Sequence, residues 1–126
     1  MKLDAGNWRA VVARYQQPDA RRAVTQMVTT LVPLAAMMYL MYLSLGWSYW
    51  LTLALAVPTA GFLVRTFIIM HDCGHGSFLP SQKWNNVVGW VTGVLTATPY
   101  SEWRHEHAIH HATAGDLDRR GHGDIA

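Results

Sequence analysis

Residues 23–64 read AVTQMVTTLVPLAAMMYLMYLSLGWSYWLTLALAVPTAGFLV, a run of 42 positions between Arg22 and Arg65 without one charged side chain. A helix that crosses a bilayer needs about 20 mostly apolar residues, because each adds about 1.5 Å toward a hydrocarbon layer about 30 Å thick. The run is long enough for two. Gly46, Trp47 and Ser48 offer the break, a small flexible turn with an aromatic ring suited to the headgroup level. The reading is a tight transmembrane hairpin with spans Val24–Leu45 and Tyr49–Met70. Pro33 and Pro58 fall inside the spans and predict kinks, since neighbouring groups can satisfy the freed carbonyls. A soluble helical pair would have to be covered on all sides, and the other 84 residues supply too little cover.

The charges beyond the run set its orientation. Lys2, Arg9, Arg14, Arg21 and Arg22 precede the first span, Arg65 and Lys83 lie at or beyond the end of the second, and the connecting turn has no basic residue. The positive-inside bias therefore places both ends of the hairpin in the cytoplasm, with Arg65 snorkelling from its helix. Residues 1–27 carry five basic and two acidic groups, residues 71–126 four basic and six acidic. The basic excess is a membrane flank, and no nucleic-acid partner is expected. With 51% hydrophobic and 14% charged residues in 126, the chain holds at most one domain and is no disordered tail. The single cysteine, Cys73, excludes a disulfide within one chain and reads as a small buried residue. Polar residues 1–22 ahead of two successive apolar segments argue against a cleavable signal peptide.

Residues 1–22 read as an amphipathic or irregular lead-in, with Pro18 and Asp19 marking a helix start. Past the hairpin, Pro80 and Ser81 mark a turn, and a second apolar stretch, Val87–Ala97, is 11 residues long and too short to cross. It follows Trp84, Asn85 and Asn86, holds Gly89 and Gly93 four apart as packing positions, and stops at Pro99. This suits a helix that lies at the interface or dips in and out. From Tyr100 the chain turns polar, and Gly115–Gly123 reads as loop.

Six of the seven histidines fall in two groups, His71 with His75, and His105, His107, His110 with His111. Residues four apart on a helix share a face, so His71 and His75 aim two imidazoles at one point. At about 100° per residue from His107, His110 sits at roughly −60° and His111 at roughly +40°, while His105 falls at roughly 160°, on the far side. Five imidazoles thus converge, and His105 and His122 read as solvated side chains. Neutral imidazole binds iron, zinc, copper or nickel, and Asp72, Glu102 and Glu106 are acceptors for the outer ring N–H groups; Asp72 and Glu106 are the foremost candidates for that supporting role. The two groups can meet only on one side of the membrane, which forces the intervening stretch to be interfacial or re-entrant.

Taken together these residues resemble the membrane fatty acid desaturases. His71-Asp72-Cys73-Gly74-His75 is similar to that family's first histidine box, H-x-x-x-H, and Trp103-Arg104-His105-Glu106-His107-Ala108-Ile109-His110-His111 to its second, W-R-x-x-H-x-x-H-H. Either box alone is a weak signal; both, about 30 residues apart behind a charge-free hairpin, are specific. The first box resembles the acyl-lipid type. The resemblance implies an all-α integral membrane enzyme with its histidine boxes on the cytoplasmic side. It further implies two iron ions held by His71, His75, His107, His110 and His111, O2 as co-substrate, a fatty acyl substrate, surrounding membrane lipid, and a ferredoxin or cytochrome-type electron donor. The family also carries a third histidine box and a second pair of spans downstream. Residues 1–126 are therefore expected to be the N-terminal part of a single desaturase domain, inactive alone. A related membrane hydroxylase or carotenoid-modifying oxygenase, and a non-catalytic membrane metal-binding protein, are the alternative functions.

Overall fold

A computed structural model describes residues 12–13 and 17–114. His122, the loop expected over 115–123 and most of the lead-in lie outside the described residues. Four helices lie wholly within them: α1 (Ala20–Ser44), α2 (Tyr49–Gly74), α3 (Gln82–Leu95) and α4 (Tyr100–Thr113). Among the described residues the all-α expectation holds, and α1 and α2 are each long and apolar enough to cross a membrane.

Helix α1 starts where Pro18 and Asp19 place it. The Asp19 carboxylate accepts from the backbone N–H groups of Arg21 at 2.8 Å and Arg22 at 3.2 Å, answering donors that a helix start leaves open. Both prolines lie inside continuous helices. The two long helices run antiparallel. Ala23 and Met27 at the start of α1 pack with Ile69 and Met70 near the end of α2, while at the other end the Ser44 and Thr52 hydroxyls meet at 2.7 Å. Between them Thr59 donates to the Met41 sulfur at 3.2 Å.

The second span was expected to end at Met70, but α2 continues to Gly74. Its end has a local cause. Gly76 takes a φ of +69°, its N–H bonds the Cys73 carbonyl at 3.0 Å, and the Ser77 N–H bonds the Asp72 carbonyl at 3.1 Å. That pair of bonds closes a helix C-terminus through a left-handed residue, which glycine adopts without strain.

Helix α3 then doubles back along α2. Gln82 at its start lies against Gly76, whereas Leu95, Thr96 and Ala97 at its end border an apolar recess of about 400 Å³ with Leu63, Val64 and Phe67. Leu63 precedes His71 by eight residues, so the far end of α3 sits about 12 Å back along α2 from the first histidine. Thr96–Pro99 reverses the chain, and α4 returns beside α2 with Tyr100 close to Gly93 and Trp103 against Gly74. The reversal again uses a left-handed residue, here Ala97 at φ +52°, with Ala97 N–H to Val94 O at 3.2 Å and Thr98 N–H to Gly93 O at 2.8 Å.

Polar side chains share the interior with the apolar core of Ile69, Met70, Cys73, Phe78 and Tyr100, and many large apolar side chains face outward. Thr30, Ser44, Thr52, Thr59, Thr66, Asn85 and Thr92 are buried, while valines, leucines and tryptophans cover the outside, with Trp47 90% and Val94 75% exposed. On α3 the inner face is Asn85, Gly89, Thr92 and Gly93, and the outer face carries Trp84, Val87, Val91 and Val94 at three- and four-residue spacing. Gly89 and Gly93 are packing positions: a methyl on Gly89 would lie 2.4 Å from the Tyr100 ring, and one on Gly93 2.8 Å from the Thr98 carbonyl.

Candidate metal centre

The extension of α2 to Gly74 puts His71 on its last turn and His75 at the cap, so one helical face carries both imidazoles to the end of the element. The turn that follows is pinned. Asn85, 1% exposed, accepts from the Leu79 N–H and donates to the Leu79 carbonyl, both at 2.8 Å, which ties residues 76–81 to α3. Helix α4 approaches with Arg104 bonded to Asn86 of α3 at 3.3 Å and with the Trp103 ring over Gly74.

Four histidines meet where the helices converge. The Nε2 atoms of His71 and His75 lie 3.3 Å apart, those of His75 and His107 3.2 Å, those of His107 and His71 3.1 Å, and those of His107 and His111 3.0 Å. One ligand nitrogen from each of the four falls within 4.8 Å of all the others. The rings of His71, His75 and His107 make an edge-on triangle with centroids 4.6–5.1 Å apart.

Hydrogen bonds alone do not account for this triangle. An imidazole nitrogen either donates or accepts, so of three nitrogens in mutual contact at least two face each other with the same character. A metal ion answers all their lone pairs at once. Around a metal with bonds of about 2.0–2.1 Å, neighbouring nitrogens are about 2.9 Å apart in an octahedral arrangement and about 3.3 Å in a tetrahedral one. The three spacings within the His71–His75–His107 triangle and that between His107 and His111, 3.0–3.3 Å, fall in that interval. The donor set fits a divalent metal.

The electrostatics keep the cluster ready for a cation. Burial lowers the pKa of His75 below the ordinary imidazole value, and the neighbouring His71 and His111 lower it further against the opposing pull of Asp72. Burial likewise lowers His107, followed by the mutual repulsion of His71, His111, His75 and His110. Both rings are therefore neutral at pH 7, the form that binds metal. Asp72 Oδ1 lies 3.2 Å from His71 Nδ1, where it accepts the outer N–H and leaves Nε2 free for the centre.

Of the five converging imidazoles expected from helical angles, the structure brings four to one point. His110 flanks them, its ring 6.2 Å from that of His107 and 6.0 Å from that of His111. At about 100° around α4 from His111, it is turned away from the side on which α2 presents His71 and His75. His105 is outside the cluster, as its far-side angle requires, and borders a cleft of about 440 Å³ together with Gly74, His75, Trp103, Arg104 and His107. Glu102 and Glu106 are exposed, and Glu106 makes no hydrogen bond or ion pair among the described residues. Cys73 is fully buried among core side chains, away from the nitrogens.

Sequence reading gave no task to Trp103. Its ring stacks on His107 at 4.4 Å and 18°, contacts His71 at 5.6 Å, and meets Phe67 edge-on at 5.7 Å. The available signal was its place four residues before His107, on the same helical face.

Comparison with known proteins bears on the same region. The family description "Fatty acid desaturase" matches residues 45–124. The chain is 51% identical over 90% of its length to a fatty acid desaturase of Bacillus subtilis, covering 32% of that protein. It is 44% identical over 41% of its length to an sn-1 acyl-lipid omega-3 desaturase (ferredoxin) of Synechocystis, covering 14% of it. To an sn-1 oleoyl-lipid 12-desaturase of Anabaena variabilis it is 35% identical over 81% of its length, covering 28%. The chain thus spans a third or less of the curated relatives it matches. No solved structure matches it. A family match over well more than half of the chain, embracing both histidine-bearing helices that meet at the metal-ready cluster, makes this chain a member of the fatty acid desaturase family.

Proposed function

We propose that the chain supplies the N-terminal part of a membrane acyl-lipid desaturase, carrying about half of a di-iron site that introduces a double bond into a fatty acyl chain with O2. The observation that carries this reading is the convergence of one ring nitrogen from each of four histidines, drawn from two segments more than 30 residues apart, within 4.8 Å. His71, His75, His107 and His111 hold metal, and His110, beside them on α4, is assigned to the second iron. Asp72 orients His71. Glu106, without a partner ring, is given no such task.

Bound iron supplies the oxidising power that an unactivated methylene requires and that no side chain has. The protein's own groups do the rest. Neutral His75 and His107 keep lone pairs available, and the Asp72 carboxylate fixes the tautomer of His71.

The two span-length helices and their exposed valines, leucines and tryptophans support an integral membrane protein. Helices α1 and α2 form the hairpin, and Trp47, Tyr49 and Trp50 around its turn, all strongly exposed, suit the outer interface. The α3–α4 pair is re-entrant: α3, 14 residues long, descends beside α2, and the reversal at Thr96–Pro99 lies at membrane depth. Irregular backbone there needs internal partners, which Ala97 and Thr98 N–H groups and the Thr96 and Thr98 hydroxyls supply. The basic flanks support a cytoplasmic position for the histidines. A relative named for ferredoxin supports a ferredoxin-type electron donor.

The test is expression of the complete gene in a host lacking the activity, with lipid analysis and metal determination. New double bonds and about two irons per protein are expected. New hydroxyl or keto groups would reassign the chemistry to an oxygenase, and stoichiometric zinc without new lipid products would overturn the enzyme reading.

A further inference from the structure

We infer that Trp103 is a positioning residue that holds the two histidine pairs in register, with Gly74 as its seat. The inference rests on the metal-centre reading above. The ring lies in the angle between α2 and α4 and touches an imidazole of each: it stacks flat on His107 at 4.4 Å and 18°, and meets His71 at 5.6 Å and 58°. Phe67, one turn below His71, closes its far edge at 5.7 Å. The remaining side is the glycine. A methyl group on Gly74 would fall 2.8 Å from Trp103 Cζ3, closer than side-chain carbons approach, so the indole occupies the space a larger residue 74 would need.

The consequence is geometric. Four imidazoles share a metal only if α2 and α4 hold one separation and one rotation, and an error of an ångström at a ligand is enough to lose a coordination bond. The hydrogen-bond contacts between α4 and α2 at the site run between the histidines themselves, the groups that have to be positioned. Tyr100 packs the start of α4 into the core with Ile69, Met70 and Cys73 of α2, and the wedge of Trp103 between Gly74 and His107 sets the separation at the level of the ligands. Stacking also fixes the plane of the His107 ring, the one imidazole whose Nε2 lies within 3.2 Å of three others. Trp103 touches ligands and no reacting atom, so its action is through them.

The experiment uses the complete protein in detergent, loaded with cobalt(II) in place of iron so that the visible spectrum reports ligand number and geometry. Wild type is expected to bind cobalt with imidazole-type absorption; failure at this step would overturn the metal-centre reading itself, separately from this inference. Trp103→Leu and Gly74→Ala should each weaken cobalt binding at least tenfold and alter the spectrum while the helical circular dichroism persists. Trp103→Phe, which keeps a stacking ring, should retain most of the binding. Leu34→Ala, a buried change on α1 outside the core cluster that Trp103 packs against, controls for lost stability and should leave the spectrum unchanged. The decisive variant is Gly74→Ala combined with Trp103→Phe: the smaller ring makes room for the methyl, and binding should recover above that of Gly74→Ala alone. Unchanged cobalt affinity and spectrum in Trp103→Leu, or no recovery in the double variant, would overturn the inference.

Discussion

His107 occupies the centre of the site, with its Nε2 3.0–3.2 Å from those of His71, His75 and His111. In the complete enzyme His107→Ala or His111→Ala is expected to abolish activity and lower the iron content, whereas His105→Ala, turned to the other side of α4, should be tolerated. Equal losses from all three would show that the angular placement of the second box is wrong. Acid should act on the same residues. Because burial and the surrounding imidazoles lower the pKa of His75 and His107, these rings take up protons only below the ordinary imidazole range. Protons and metal compete for one lone pair, so binding should hold through pH 6.5 and fall reversibly at lower pH. The sign for the metal-free fold is the same: the unfolded chain binds these protons first, so the contribution of the two histidines to stability is intact above their unfolded pKa and declines as pH drops through the folded values. Cobalt titrations at several pH values check the competition, and release that begins well above pH 6.5 would contradict it.

At the scale of elements, the two chain reversals use the same hydrogen-bonded cap with different residues in the left-handed position. Gly76 fits the first without strain; Ala97 at φ +52° does not fit the second. The left-handed conformation costs a residue with a Cβ about 1–2 kcal/mol, partly offset by the smaller entropy alanine loses on folding. Ala97→Gly should therefore stabilise the α3–α4 turn by about 0.5–1 kcal/mol, measurable by denaturant unfolding in detergent. Gly89→Ala acts in the opposite direction. Its methyl would lie 2.4 Å from the ring of Tyr100, which is 2% exposed and hemmed in, so a loss of about 1–3 kcal/mol from overpacking is expected, together with weaker metal binding as α4 is pushed outward. Such details explain what could be read beforehand and what could not. The charge-free run, the Asp19 cap, the four-residue histidine spacing and the glycine pair are local patterns with local meaning. Two features depended on neighbours distant in sequence: which arc of α4 faces α2, which separated His110 from its fellows, and the use of Trp103 as the joint between the helices.

At the scale of the whole molecule, α1 and α2 are long and apolar enough to cross a membrane, and valine, leucine and tryptophan side chains stand exposed while threonines and an asparagine are buried beside the apolar core. That arrangement makes a topological claim which cysteine labelling can test, since Cys73 is fully buried and stays silent in the native fold. Gly46→Cys, in the hairpin turn, should react with a membrane-impermeant maleimide added from outside intact cells. Lys83→Cys, just beyond the first histidine box, should react only once the inner face is opened. Val94→Cys is the informative position. Its side chain is 75% exposed in the isolated chain and would label readily in water, but a re-entrant α3 carries it about 12–15 Å below the histidines into hydrocarbon, where a charged reagent cannot follow. It should label from neither side. Labelling of Val94→Cys from outside would mean that α3 crosses the bilayer, and a crossing α3 would put α4 and its histidines on the far leaflet from His71 and His75. Since the four Nε2 atoms can share a metal only from one side, that single result would dissolve the site along with the topology.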